Sequence, residues 1–289
     1  MQLCKIKGYT KSIIGVMLAI TGPLMAVSAP AGGPAGDSLV WYRAVAQMGK
    51  LYQQKPVQLN ITIRRSSLPA RRVDDSTQTE LTLYIGEHDY YLSSEGLEMI
   101  MNDSLSLMVN HPGRRMMLYS NRQSVNEQLF GALTALAADS SVQQLAQTYR
   151  VNREELPDQQ ELIRLTSRQQ LPETGFAVQT LWLIRKIGSA DPVTYGVKKT
   201  TLLPVDSAVW SAWQSNAAYA GKLMRVAQQG NSWLYCLVRE ETTTYSFTAI
   251  RHNVQKPPVV LADRLQPANG GQPFVPAKGY EEYLFTKEE

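Results

Sequence analysis

"HDYYLSSEGLEMIMNDSLSLMVNHPGRRMMLYS", residues 88–120, decides the fold. Short runs that alternate apolar and polar are separated by Glu95-Gly96, Asp103-Ser104 and Pro112-Gly113. Strands of that length joined by tight turns pair antiparallel with their sequence neighbours. The stretch also holds His111, Asn110, Asp103 and the pair Arg114-Arg115, which are residue types that active sites use. Yet "NHPG", residues 110–113, has Pro at the second position of a turn and Gly at the third, the pattern of type II. The expectation is a β-meander in which His111 occupies an exposed hairpin tip.

The same alternation extends upstream. "VQLNITIRR" (57–65) puts Val57, Leu59, Ile61 and Ile63 on one face and Gln58, Asn60, Thr62 and Arg64 on the other, and "TELTLYI" (79–85) precedes a turn at Gly86-Glu87. Between them "SSLPARRVDDS" (66–76) reads as a polar loop. Before residue 57, Trp41, Val45, Met48 and Tyr52 recur at helical spacing between an N-cap at Ser38 and a stop at Pro56.

Downstream, "SVNEQLFGALTALAADSSVQQLAQTY" (124–149) reads as two helices, with Val125, Leu129, Leu133 and Leu136 forming one stripe. Strands resume at "ELIRLTSR" (161–168), "FAVQTLWLIRKI" (176–187) and "TYGVKKTTLLP" (194–204). "VDSAVWSAWQSNAAYAGKLMRVAQQ" (205–229) reads as a helix with Trp210, Trp213, Ala217, Ala220 and Met224 on one face. A hairpin around Glu240-Glu241, a Pro- and Gly-rich irregular stretch (254–279) and a last strand at "YEEYLFT" (280–286) complete the chain.

The N-terminus reads as an export signal. Lys5, Lys7 and Lys11 precede the apolar run "IIGVMLAITGPLMAV" (13–27), and Val27-Ser28-Ala29 supplies small residues for cleavage. The expected organisation is a signal peptide over 1–29 cut after Ala29, a flexible leader "PAGGPAGD" over 30–37, and a single domain over 38–289. The destination is the periplasm or the extracellular space, with no stable membrane span once the signal is removed. Cys4 lies before the apolar run, so it is not a lipid-attachment cysteine. Cys236 is then the one cysteine of the mature chain; no intramolecular disulfide can form, and its strand-like surroundings predict a buried, inert thiol. Three units of the formal +4 charge belong to the signal lysines, so basicity gives no argument for nucleic acid.

The chain carries no G-x-S-x-G, P-loop or dinucleotide fingerprint. His88, His111 and His252 are isolated from one another and from cysteine, so no metal site is expected. The carboxylate pairs Asp74-Asp75, Glu154-Glu155, Glu240-Glu241 and Glu281-Glu282 read as solvated charge. No cofactor and no catalytic role are expected. An enzyme with a dispersed carboxylate site is the remoter alternative, and a secreted β-domain that binds a protein through a fully packed sheet is the nearer one.

Five of the ten methionines, Met99, Met101, Met108, Met116 and Met117, crowd into the meander. Methionine is flexible and polarizable, and suits an apolar surface that must adapt to what it holds. The order of elements (signal, amphipathic helix, alternating strand, meander, helical interruption, more strands) resembles the LolA-like lipoprotein-carrier superfamily over most of residues 38–286. The resemblance implies an α+β, mostly antiparallel architecture: a curved sheet or half-closed barrel whose concave face holds acyl chains beneath covering helices. It also implies an apolar ligand or lipoprotein acyl chains as cargo and an envelope protein as partner.

The residues themselves nominate a groove. Ile61, Ile63, Leu81, Leu83, Met99, Met101, Leu105, Leu107, Met116 and Leu118 are assigned to one apolar face, with Leu129, Leu133, Trp210 and Trp213 as its lid. Each acyl methylene buried there would contribute ~0.8 kcal/mol, so a modest groove holds lipid without any charged contact.

Overall fold

Strand β1 (Val57–Leu68) continues the alternating run and sits at the centre of the molecule. A computed structural model describes residues 55–70, 72, 75–120, 148–168, 178–189, 191–227, 232–268 and 274–288. The expected signal, leader and first helix, and the helical middle with Leu129 and Leu133, lie outside the described residues.

The meander forms as read: β2 (Ser76–Ile85), β3 (Tyr90–Ser94), β4 (Leu97–Met101), β5 (Leu105–Asn110) and β6 (Arg115–Ser120). Then come β7 (Tyr149–Leu156), β8 (Gln160–Ser167), β9 (Val178–Lys186), β10 (Pro192–Pro204), helix α1 (Ser207–Trp213), β11 (Leu223–Ala227), β12 (Trp233–His252), β13 (Leu265–Pro267), β14 (Phe274–Pro276) and β15 (Leu284–Glu288). All but β13 and β14 join a 13-stranded sheet in the order β15-β6-β5-β4-β3-β2-β1-β12-β10-β9-β8-β7, with β11 added to β12. Every pairing is antiparallel except β15 with β6. Twisted open sheets rarely exceed about ten strands without curling, so a sheet of this size has an inner and an outer face.

The turns show how the register is set. Glu95 (φ 47) and Gly96 (φ 78) both take positive φ in the two-residue β3–β4 turn, the geometry that follows strand twist. At β4–β5 the Asn102 side chain accepts from the amides of Ser104 (2.9 Å) and Leu105 (2.8 Å). At the β5–β6 tip the Arg114 amide donates to the His111 carbonyl at 3.1 Å. The positive φ there belongs to Arg114 (φ 45) and not to Gly113, so the expected type II turn is corrected to a type I turn followed by a left-handed residue.

Three elements depart from the sequence reading. The hairpin at Glu240-Glu241 does not form; β12 runs straight through it for 20 residues. No Gly, Pro or Asn interrupts this stretch, its threonines favour strand, and Glu240 is clasped between Lys198 (2.8 Å) and Lys222 (2.7 Å). The long helix over 205–229 stops at α1, capped by Asp206 accepting from the Ala208 amide at 2.7 Å. Past Gly221 (φ 68) the chain turns into β11. The β1 ladder ends at Leu68 opposite Glu240, leaving the Trp233–Leu237 backbone of β12 in need of partners, and β11 supplies them. Finally, β7 was missed because "YRVNREEL" is too charged to read as a strand; as a terminal strand of the sheet it carries the charges that discourage pairing with another chain.

Two apolar clusters divide between the faces. One spans nine strands, β7-β8-β9-β10-β12-β1-β2-β3-β4, and includes Ile61, Ile63, Leu81, Leu83 and Met101; its side is termed the front. The other packs the back of β2–β6 beneath the C-terminal segment, through Leu265, Phe274, Tyr280 and Tyr283. A bulge at Asn60/Ile61 pairs Leu59 with Ile250 and Ile61 with Phe247, which keeps both β12 side chains in the front cluster. On the back of β9–β10, Trp182 lies flat over Gly196, where an added Cβ would sit 2.0 Å from the indole.

Candidate functional site

The front face is the candidate ligand surface, and alternation builds it strand by strand. Register places Ile61 opposite Leu81, Leu83 opposite Leu92, Leu92 opposite Met99, and Tyr90 opposite Met101. On the other side of β1 the band continues through Tyr245, Tyr195, Leu183 and Ile163. The result is one uninterrupted apolar surface of Val, Ile, Leu, Met and Tyr. Burial pushes the Tyr149 hydroxyl up to about 12 and the Tyr195 hydroxyl further still, with Tyr245 and Tyr149 adding to the effect at Tyr195, so these phenols stay neutral.

The far end of this band has polar anchors. Tyr149 Oη donates to Gln179 Oε1 at 2.8 Å, and the Gln179 amide donates to Ser167 Oγ at 3.0 Å. At the opposite end of the same strands, Glu161 accepts from Arg153 Nε and Arg185 Nε, each at 2.6 Å. Burial alone would raise the Glu161 carboxyl, but the two guanidiniums outweigh it and hold the group below its ordinary value.

Six of the ten nominated groove residues meet on this face: Ile61, Ile63, Leu81, Leu83, Met99 and Met101. The other four, Leu105, Leu107, Met116 and Leu118, point to the back and join the second cluster. The cause is the β4–β5 turn. Asn102 donates to the Leu105 carbonyl, so Met101 stands opposite Ser106 and Ile100 opposite Leu107. A difference of one residue in register moves every side chain of a strand to the other face. The methionine group therefore splits. Met99 faces Met108 and Met108 faces Met117 on the front, while Met116 faces Val109 behind.

Of the lid residues, Trp210 packs on Tyr235 (5.1 Å between ring centroids) and Trp213 stacks on Tyr219 (4.5 Å), at the end of the sheet where β11 joins β12. The front residues of β7–β10 were missed, although the alternating "ELIRLTSR" carried their signal.

A polar cluster lies behind the meander, and it corrects the expectation for His111. Its ring is half-buried, with Nδ1 3.0 Å from Tyr283 Oη and Nε2 3.4 Å from Glu98 Oε2. Arg264 grips Glu98 with two bonds, Nε to Oε2 at 2.9 Å and Nη2 to Oε1 at 3.1 Å, and its guanidinium lies over Tyr280, 5.0 Å from the ring centroid. Tyr91 Oη donates to Glu98 Oε1 at 3.3 Å. Burial would raise Glu98, but Arg264 and then His111 hold it below its ordinary value. The cluster clamps the C-terminal segment onto the sheet. Among the described residues no group of His, Cys, Asp and Glu is placed to hold a metal ion. Cys236 is buried, and burial raises its thiol.

No family model matches the sequence, and no curated protein matches it either. Solved structures do match. A crystal structure of an uncharacterized conserved protein from Thermus thermophilus is 8% identical, with a TM-score of 0.34, covering 85% of this chain and 98% of that one. A LolA superfamily protein from Nitrosomonas europaea is 11% identical, with a TM-score of 0.27, over 74% of this chain and 94% of that one. A DUF1329 family protein from Desulfovibrio piger is 11% identical, with a TM-score of 0.26, over 77% and 96%. At these scores the likeness determines neither topology nor ligand.

Proposed function

We propose that this chain is an exported, non-enzymatic carrier that holds a lipid acyl chain or a similar apolar ligand against the front face of its sheet. The observation that supports it most is the unbroken apolar band across nine strands, continued by Met108 and Met117. A sheet face of that kind must be covered by chain or by ligand, and methionines let the meander end of it accommodate different occupants. The work is done by dispersion and the hydrophobic effect, so it needs no cofactor, metal or catalytic group. Among the described residues no helix is long and apolar enough to cross a membrane. The periplasm is the compartment this reading assigns, with a second envelope protein as donor or acceptor of the cargo.

The test is direct. Protein purified from the periplasm, extracted with organic solvent and examined by mass spectrometry, should release lipid in near-stoichiometric amount. The stripped protein should take up a fluorescent fatty acid that the extracted lipid displaces. A preparation that yields no lipid and takes up no apolar probe would leave the front face as a closed core.

A further inference from the structure

A second surface lies at the end of the sheet where β10 and β12 outrun β1 and β11 completes the edge. Three of the chain's five tryptophans, Trp210, Trp213 and Trp233, gather there. Trp233 is 52% exposed, Met224 44% and Val209 40%. Register sets Arg225 opposite Tyr235 and Ala227 opposite Trp233, so Arg225, Tyr235 and Trp233 share one side of the ribbon. The Arg225 guanidinium lies 5.5 Å from the Trp210 ring centroid and 5.7 Å from that of Trp233.

Packing within the domain does not explain this arrangement. An exposed indole on one side of a ribbon end and an exposed methionine on the other leave apolar area in water. Arg225 forms no ion pair among the described residues. The tip thus combines amphipathic aromatic rings with the positive charge of Arg225, which no described carboxylate balances. Indoles settle at the headgroup level of a bilayer, and a guanidinium held beside them offers a planar fork to phosphate.

We propose that the β10–β11–β12 tip is a membrane-docking element that seats on anionic phospholipid, with Trp233 and Met224 entering the interface from the two sides of the ribbon and Arg225 binding the headgroup phosphate. The proposal stands independently of whether the front face carries lipid, because docking and cargo uptake use different residues.

The experiment is flotation of the full exported chain with vesicles of mixed phosphatidylethanolamine and phosphatidylglycerol, and with vesicles of phosphatidylcholine alone. The wild type should float with the anionic vesicles, and its tryptophan emission should shift to the blue. Trp233→Ala combined with Met224→Ser should lose most of the bound fraction on both vesicle types while melting as the wild type does. Arg225→Gln should weaken binding to the anionic vesicles about five-fold, the weight of one basic residue at such a surface, and erase the preference for them. A wild type that stays at the bottom of the gradient overturns the proposal, as does flotation unaffected by these substitutions. Equal flotation with both vesicle types overturns the role given to Arg225. A tip that fails to float but captures an envelope protein would mark it as a protein interface instead.

Discussion

The front and back of the β3–β6 meander are built from the same twenty-odd residues and lead opposite lives. On the back, Leu107, Val109, Met116 and Leu118 are fully buried under the chain's own C-terminal segment, fixed by β15 and by the Arg264–Glu98 clamp. On the front, Tyr90, Leu92 and Met101 are buried too, but Met99, Met108 and Met117 are half-buried, and these three are flexible thioethers. One face is a core closed by local chain. The other is suited to an adaptable occupant. Alternation along a strand is what allows one sheet to have both: a rigid spine behind and a compliant wall in front.

The harshest way to probe the contrast is Leu107→Glu. Leu107 has no exposed surface and sits beneath the C-terminal cover, so a carboxylate there has neither water nor partner. The cost should consume most of the ~5–15 kcal/mol that keeps a domain folded. The expected outcome is loss of a cooperative melt, read by circular dichroism. A Leu107→Glu protein that melts normally would mean that the back face is open and that the two faces are not the different environments described.

The clamp comes next. Glu98→Gln leaves the Arg264 guanidinium without its counter-ion in a mostly buried setting, and breaking such a pair costs about 3 kcal/mol. The pH dependence follows from the direction of the shift. The Glu98 carboxyl is held below its ordinary value of 4.5 in the folded chain, so its contribution is complete above 4.5 and is lost as pH falls through the lower folded value. Glu161 and Glu240 are lowered in the same sense, by Arg185 and Arg153 and by Lys198 and Lys222. Urea melts of wild type and Glu98→Gln should therefore differ most at neutral pH and converge in acid. A gap that widens in acid would remove Glu98 from the role of clamp.

The clamp also shows where sequence reading stops. Alternation made the meander and the β1–β2 pair legible, because period-two patterns report burial on one face directly. It could not assign Leu105 and Leu107 to the correct face, since that depends on a single turn hydrogen bond at Asn102. Nor could it see that His111 and Glu98 meet Tyr283 and Arg264, over 160 residues away in the chain. A Pro- and Gly-rich stretch carries no period, so the segment that covers the back face left no signal that it covers anything.

Met99→Glu tests the front. Met99 is only partly buried against the front cluster, and a carboxylate there can reach water whenever the face is empty. Melting should fall by about 1 kcal/mol or less, within the range of ordinary substitutions, while uptake of a fluorescent fatty acid should be lost. Set beside Leu107→Glu, this pair separates a ligand surface from a core: one variant folds and does not bind, the other does not fold. If Met99→Glu takes up the probe as the wild type does, the meander end of the front face is not part of the binding surface.

The mildest effects lie at the turns that hold the meander in register, and they too differ in a way the structure dictates. At Gly96 the backbone is left-handed (φ 78), and an added Cβ would fall 2.9 Å from Pro112 Cδ in the neighbouring turn. The His111 amide also donates to the Gly96 carbonyl at 2.8 Å, so the two turns are docked together and neither can shift freely. Gly96→Ala should therefore cost about 1–2 kcal/mol, the penalty of a left-handed alanine plus the crowding. Gly113 has no positive φ, and an added Cβ would meet only the Asn110 side chain, at 3.1 Å from Nδ2. Asn110 Oδ1 accepts from the Gly113 amide at 2.9 Å, and a few tenths of an ångström of movement weakens that bond without stripping it. Gly113→Ala should cost about 0.5 kcal/mol, the small share of a partly exposed hydrogen bond. Chemical denaturation of both variants checks the order. Equal losses, or a larger loss at Gly113, would return the tip to the type II geometry that its sequence suggests, with the left-handed residue at Gly113 and not at Arg114.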